Sequence, residues 1–300
     1  MPKNILVTYY SQTGQLEEIM RNISRVFTNR EEYEVTYYEI KLKEDFAFPW
    51  SPDVFYDTFP ESYLQVPKEL VPPSEDILNK KYDLILFGYQ VWFLTPSIPI
   101  ISFLKSEFAE KLMANTPVIT VSGTRNMWML SQDKLKVHLK RLNAKLVGNI
   151  ALVDRHDNYT SVITILNWLQ TGKKEQPKPL PPAGIAQKEI DEAGKFGNII
   201  IRYAEKGSYE GMQNELVQHG AVEVRPFLIK VETVGNKLFT VFSGIIAKRP
   251  EKRKFWVGVY KFYLMFAIWV VSPIVLFIYT LLTPFFYRKR QRQIEHYQGI

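Results

Sequence analysis

The stretch Ile5-Leu-Val-Thr-Tyr-Tyr10-Ser-Gln-Thr-Gly14-Gln-Leu16 decides how the rest of the chain is read. Its first six residues are apolar, aromatic or β-branched with little alternation, the composition of a strand buried on both faces of a parallel sheet. A short polar turn with Gly14 follows. Leu16, Ile19, Met20, Ile23, Val26 and Phe27 then recur at the spacing of one helix face. An open parallel sheet takes its ligands at the carboxyl ends of its strands, so this first turn is where an anion site belongs. Hydroxyls at Ser11 and Thr13, together with the free amides that open a helix, suit a phosphate, and Gly14 lets the backbone approach it. Thr13 as an ordinary helix cap is the plainer alternative.

Outward from this unit the same rhythm repeats. Val35–Ile40, Tyr82–Phe87, Pro117–Val121 and Leu146–Val153 read as four more strands, with helical segments near 98–112, 127–142 and 185–205. Strands alternating with helices predict an α/β fold, a doubly wound five-stranded parallel sheet with helices on both faces. Residues 41–80 break the rhythm, with prolines from Pro49 to Pro73 and aromatics at Phe46, Phe48, Trp50, Phe55, Tyr56, Phe59 and Tyr63. So aromatic a loop can bury enough area to be ordered, either as a flap over a sheet edge or as a lid over an apolar substrate. Lys173 to Pro182 reads as a proline-stiffened linker, and 208–247 as a small helix-then-strand unit. The organisation expected is a domain at 1–205, an extension at 206–254 and an apolar segment with a basic tail at 255–300.

Two further loops fall at the same sheet edge as the first. Gly88-Tyr-Gln-Val-Trp-Phe-Leu-Thr-Pro96 follows the third strand, and Ser122-Gly-Thr-Arg-Asn-Met-Trp128 follows the fourth. Aromatics at the ends of neighbouring strands suit a flat heteroaromatic ring that needs stacking faces and hydrogen bonds around its rim. With the Ser-Gln-Thr-Gly turn, these loops resemble those of the flavodoxin and flavodoxin-like quinone reductase superfamily, over residues 1 to about 205. The resemblance implies that flavin mononucleotide (FMN) is held at its phosphate by Ser11, Gln12, Thr13, Gly14, Gln15 and Leu16. Around its ring it implies Tyr89, Gln90, Val91, Trp92, Phe93, Ser122, Gly123, Thr124 and Arg125. Leu16 departs from the pattern, which usually has a second hydroxyl there. The whole chain also resembles bacterial dialkylresorcinol-condensing enzymes of flexirubin and aryl-polyene lipid pathways. That likeness implies aromatisation of a lipophilic 2,5-dialkylcyclohexane-1,3-dione supplied by a partner ketosynthase.

The composition sets the remaining bounds. The chain has 300 residues, no cysteine and a formal charge of +7, much of it near 248–261 and 288–292. That placement points to a membrane surface rather than to nucleic acid, and the lack of cysteine suits a reducing compartment. Between the two basic clusters, Phe262 to Tyr287 holds 26 residues without a charge, more than the roughly 20 that cross a bilayer. Basic residues on both flanks favour both ends on the cytoplasmic side. Pro273, near the middle, points to a shallow re-entrant or interfacial hairpin, with a single span as the alternative. The expected location is the cytoplasmic face of a bacterial inner membrane. The N-terminus, entering a strand at once, reads as lacking a cleavable leader.

Removing a proton beside a carbonyl while hydride leaves needs a base near the ring. Asp154-Arg155-His156-Asp157-Asn158 follows the fifth strand, so His156 is the expected base, oriented by Asp157 or Asp154, with Tyr89 or Arg125 holding an enolate oxygen. No histidine–carboxylate spacing suggests a metal. Two other functions fit the same features, a nicotinamide-driven quinone reductase and a flavodoxin-type electron carrier. A homo-oligomer is left open.

Overall fold

The computed structural model describes residues 2–282 and 286–300. The chain runs β1 (Lys3–Tyr9), α1 (Gln15–Thr28), β2 (Tyr33–Glu39), α2 (Pro52–Asp57), α3 (Phe59–Tyr63), α4 (Glu75–Leu78), β3 (Leu84–Tyr89), β4 (Val91–Trp92) and β5 (Thr95–Pro96). It continues through α5 (Ile98–Leu104), α6 (Glu107–Met113), β6 (Pro117–Thr124), α7 (Met129–Arg141), β7 (Lys145–Val153) and α8 (Asn158–Thr171). Then come α9 (Gln187–Asp191), α10 (Gly194–Lys206), α11 (Met212–Gln218), α12 (Pro226–Lys248), α13 (Arg253–Phe266), α14 (Ser272–Leu282) and α15 (Tyr287–Gln298).

Five parallel strands pair in the order β2-β1-β3-β6-β7. That is the 2-1-3-4-5 order of flavodoxin-like sheets, whose switch point lies between the first and third major strands. All of β3 is buried, as its unbroken apolar run requires of a central strand. One apolar layer joins the sheet to α1 and α10, and the other joins it to α5, α6 and α7. Gly197 lets α10 lie directly on α1, because a Cβ there would sit 2.1 Å from the Ile23 carbonyl oxygen. The fold thus fixes α1, and with it the turn that precedes it.

The five expected strands form with limits no more than three residues from those expected, but two readings of the remainder, the unit at 208–247 and the hairpin in the apolar segment, are corrected. Residues 158–171 are a helix, α8, begun by Asp157, whose carboxylate accepts from the Tyr159 and Thr160 amides. The expected helix-then-strand unit at 208–247 is instead two helices, α11 and the 23-residue α12. Its β-branched residues suggest a strand, yet Leu228, Ile229, Glu232, Phe239, Phe242, Ser243 and Ile246 are buried at helical spacing. The only strand-like remnant there is one bridge from Val222 to Ala151. Residues 173–182 hold no helix or strand; beside them Asn167 donates to the Gln176 side chain, and the Ala183 amide donates to the Lys174 carbonyl.

The second correction concerns the apolar segment. Pro250–Leu282 is one helical rod of 33 residues, with no reversal at Pro273. The five residues 267–271 just before this proline adopt a π-helical turn, which absorbs the missing amide without ending the helix. Residues 283–285 of the apolar stretch lie outside the described residues. A third apolar cluster fastens the rod to the body: Phe59 of α3 stacks on Tyr260 with ring centres 3.8 Å apart and planes 9° apart, and Phe239, Phe242 and Ile246 of α12 close around them. Arg253 adds ion pairs to Asp57 and Glu61.

Candidate cofactor and substrate site

A cavity of about 790 Å³ opens at the carboxyl edge of the sheet. Gln12, Thr13, Gln15 and Leu16 form one end, where β1 passes into α1. Gly14 caps the helix with φ +82°, a left-handed conformation that a glycine adopts freely, so Thr13 is not the cap. Ser11 turns inward and accepts from the Glu17 amide at 3.2 Å. Gln15, on the wall, has its side-chain amide bonded to the Ile185 carbonyl and amide at 3.1 Å each, which holds the 183–186 segment against the loop.

The second loop is a tight hairpin. Val91 and Trp92 pair with Pro96 and Thr95, and the two residues at its tip, Phe93 and Leu94, have φ of +49° and +61°. Positive φ at both central positions is the type I′ turn, normally given to Asn-Gly, and costs about 1–2 kcal/mol for each bulky residue. The hydroxyl of Thr95 braces the turn at the Trp92 carbonyl, Lys134 donates to the Leu94 carbonyl, and Phe93 is wedged among Phe55, Phe59 and Phe239. Strain held this firmly is characteristic of ligand sites. Trp92 is gripped edge-on by Tyr10, Phe46 and Trp50, so residues 41–80 supply the cavity's aromatic rim.

Gly123 and Thr124, the last residues of β6, and Arg125 just beyond them form the third loop's approach to the cavity. A Cβ on Gly123 would lie 3.3–3.5 Å from Ile19, Ile185 and Leu16, so the loop sits close upon α1. Arg125 reaches Asn158 and Met127, and burial lowers its pKa to about 10, leaving it cationic at neutral pH.

Gln12, Thr13, Gly14, Gln15, Leu16, Gln90, Val91, Trp92, Phe93, Gly123, Thr124 and Arg125 thus gather at one edge, all but Gly14 on the cavity wall. Besides Gly14, three expected cofactor residues do not line it: Ser11, Tyr89 and Ser122. Tyr89 is wholly buried, donating to Gln132 at 2.6 Å, and burial pushes its phenol well up. Ser122 is wholly buried beside it. Both lie on strand stretches whose side chains alternate into the sheet layers. The catalytic grouping also changes. His156 pairs through Nδ1 with buried Asp154 at 2.7 Å, forming a dyad beside the cavity rather than in its wall. Asp157 caps α8 instead of orienting that ring, and the bonds it accepts from Thr160 and Tyr159 hold its carboxyl below the ordinary range.

No sequence motif marks the far wall. Val162, Ile165 and Leu169 of α8, Val234 and Leu238 of α12, and Leu264, Ile268, Val271 and Val275 of the C-terminal rod complete it. Their three- and four-residue spacing is the one signal that marked them as a helical face.

The polar lining fits a flavin nucleotide. The Gln12 amide nitrogen and the Gln90 amide oxygen, at two of the converging loops, are buried with no partner among the described residues. One donor and one acceptor left unmet are what phosphate or carbonyl oxygens and a ring N–H would satisfy.

No family model and no curated protein matches this chain. Among solved structures it is similar to an FMN complex of a flavoprotein from Lactobacillus acidophilus NCFM, at 20% identity over 50% of this chain and 93% of that one, with a TM-score of 0.36. Oxidised flavodoxin 1 from Bacillus cereus matches at 12% identity over 67% and 99%, TM-score 0.37. A flavodoxin from the domain Archaea matches at 11% identity over 68% and 98%, TM-score 0.37. The fold assignment rests on the strand order itself.

Proposed function

We propose that this chain is an FMN-dependent oxidoreductase at the cytoplasmic face of a bacterial membrane, and that it oxidises a 2,5-dialkylcyclohexane-1,3-dione to a dialkylresorcinol. One observation carries the reading: a single cavity joins the three loops suited to FMN to a long apolar wall. An electron carrier needs its flavin edge near the surface, whereas helices α2, α12 and α13 all contribute to the wall of the cavity that would take the flavin.

FMN, when bound, supplies a two-electron acceptor. The dione must lose two hydrogens, one ring C–H as hydride and one as a proton, after which the ring tautomerises to the resorcinol. Within the cavity wall, Arg125 and Lys237 are the only basic side chains, and there is no carboxylate, among the described lining residues. The acidity of a 1,3-dione makes up for the missing base: its enolate forms readily in water, and Arg125, a cation of the cavity lining, would hold the oxygen that carries the charge. Trp92 and Phe93 orient the flat head, and the apolar wall takes the alkyl chains and excludes water.

The test is anaerobic incubation of FMN-loaded protein with a long-chain cyclohexane-1,3-dione. One resorcinol formed for each flavin bleached supports the proposal. Rapid bleaching by a nicotinamide with no resorcinol formed favours the quinone reductase, because a quinone head with a prenyl tail would fit the same space.

A further inference from the structure

The rod Pro250–Leu282 has two apolar faces with different fates. Tyr260, Leu264, Ile268, Val271 and Val275 turn inward, the first into the aromatic cluster and the others onto the cavity. Phe255, Phe262, Phe266, Val270, Phe277 and Leu281 lie along the opposite side, each 44–75% exposed. A rod exposing such a row is not finished as a surface in water.

The tail shows how the row is covered. α15 returns to the body that the rod leaves. Tyr297 is buried against Trp128, its hydroxyl donates to Asp133 at 2.8 Å, and Gln213 of α11 donates to the Gln298 carbonyl at 2.8 Å. Both ends of the rod are therefore fastened to one side of the molecule. A rod crossing a hydrocarbon core of about 30 Å would carry residue 282 to the far face. The 12 residues of α15 span about 18 Å as a helix, and Arg288, Lys289, Arg290 and Arg292 make their return through lipid prohibitive.

We infer that the rod lies in the plane of a single leaflet of an anionic phospholipid bilayer, its outer row sunk among the acyl chains, so that the cavity behind it is loaded sideways from that leaflet. Exposed cations stand at both ends, Lys252 and Lys254 before the row and Arg288, Lys289 and Arg292 after it, positioned to meet lipid phosphates. The inner face of the same rod walls the cavity, so a lipophilic molecule would pass from leaflet to site around one helix without entering water. The sideways loading rests on the lipophilic substrate proposed above, whereas the orientation of the rod does not.

The chain's lack of cysteine makes single-cysteine variants clean probes. Spin labels at Phe262→Cys, Phe277→Cys and Leu281→Cys, bound to vesicles of phosphatidylcholine and phosphatidylglycerol, report depth from collision with oxygen and a water-soluble nickel chelate. An in-plane rod places all three at similar shallow depth, roughly 5–10 Å into the headgroup–acyl boundary. A crossing rod separates the first two by about 22 Å and overturns the inference. Glu295→Cys and Lys140→Cys should label equally with an impermeant maleimide added outside, and protection of only one contradicts the in-plane placement. Binding to vesicles should fall about tenfold or more without phosphatidylglycerol, and a protein that binds neither vesicle sinks the proposal. A label at Val275→Cys should meet oxygen but little nickel chelate; strong access by the chelate would mean that the cavity opens to water, and would refute sideways loading. None of these measurements uses turnover, so a wrong substrate leaves them unchanged.

Discussion

Replacing Phe59 with alanine should detach the C-terminal rod before it disturbs the sheet. Phe59 is fully buried and touches three separate parts of the chain: Tyr260 in a 3.8 Å stack, Phe239 of α12 at 5.1 Å and Phe93 of the strained hairpin at 5.4 Å. Losing a buried phenylalanine side chain costs about 3–5 kcal/mol, and the aromatic geometry accounts for about one of these. No residue of the parallel sheet belongs to this cluster. The loss therefore falls on the docking of α13 and α12 rather than on global unfolding. Hydrogen exchange in α13, and tryptic cleavage after Lys254 and Lys261, should accelerate about a hundredfold or more, while amides of β3 and β6 keep their protection. Phe59→Leu, which keeps most of the volume, should show a much smaller effect. Unchanged exchange in α13, or a uniform loss across the sheet, would refute the view that this cluster is a separate fastening.

Three further outcomes are expected. Gly197→Ala should destabilise the fold by about 1–3 kcal/mol in urea titrations, since its Cβ would meet the backbone of Ile23 and push α10 off α1; wild-type stability would contradict the packing. Trp92→Ala should weaken FMN binding about tenfold by fluorescence titration with little change in fold, as one stacking face is lost. The third concerns Glu232, wholly buried, which accepts from the Leu130 amide at 2.7 Å and the Met129 amide at 3.3 Å; burial lifts its pKa to about 8, against the pull of those amides and Arg125. A raised carboxyl pKa favours the folded state at low pH, so stability should fall as pH rises from about 4.5 to 8, by up to about 1.4 kcal/mol per unit. Lys134, lowered to about 8 by burial, reverses the slope above that pH. Glu232→Gln keeps an acceptor for both amides and should flatten the acidic limb in urea midpoints measured from pH 5 to 8.

The sheet and its ligand edge were legible because short apolar runs, repeated five times, and the glycine turn after the first of them are local signals. What escaped depends on long-range packing. Tyr89 and Ser122 sit in the right loops, but strand alternation turns their side chains inward, and only the tertiary pairing reveals which face each meets. Asp157 was one of two neighbouring carboxylates, and its role as a helix cap depended on a helix that β-branched and aromatic residues at 158–171 had hidden. In α12 the residues Val231, Thr233 and Val234 favour a strand intrinsically, while burial of every third or fourth side chain decides for a helix. Pro273 suggested a turn because the π-helical residues that accommodate it carry no composition of their own.

The central claim is that the three loops hold FMN. The direct measurement is the visible spectrum of the purified full-length protein after incubation with FMN and removal of the excess, followed by acid release and identification of what remains bound. About one FMN per chain, reduced to a small fraction in Trp92→Ala, is the predicted result. A colourless protein that retains no added FMN, although its circular dichroism shows the folded α/β domain, would contradict the account.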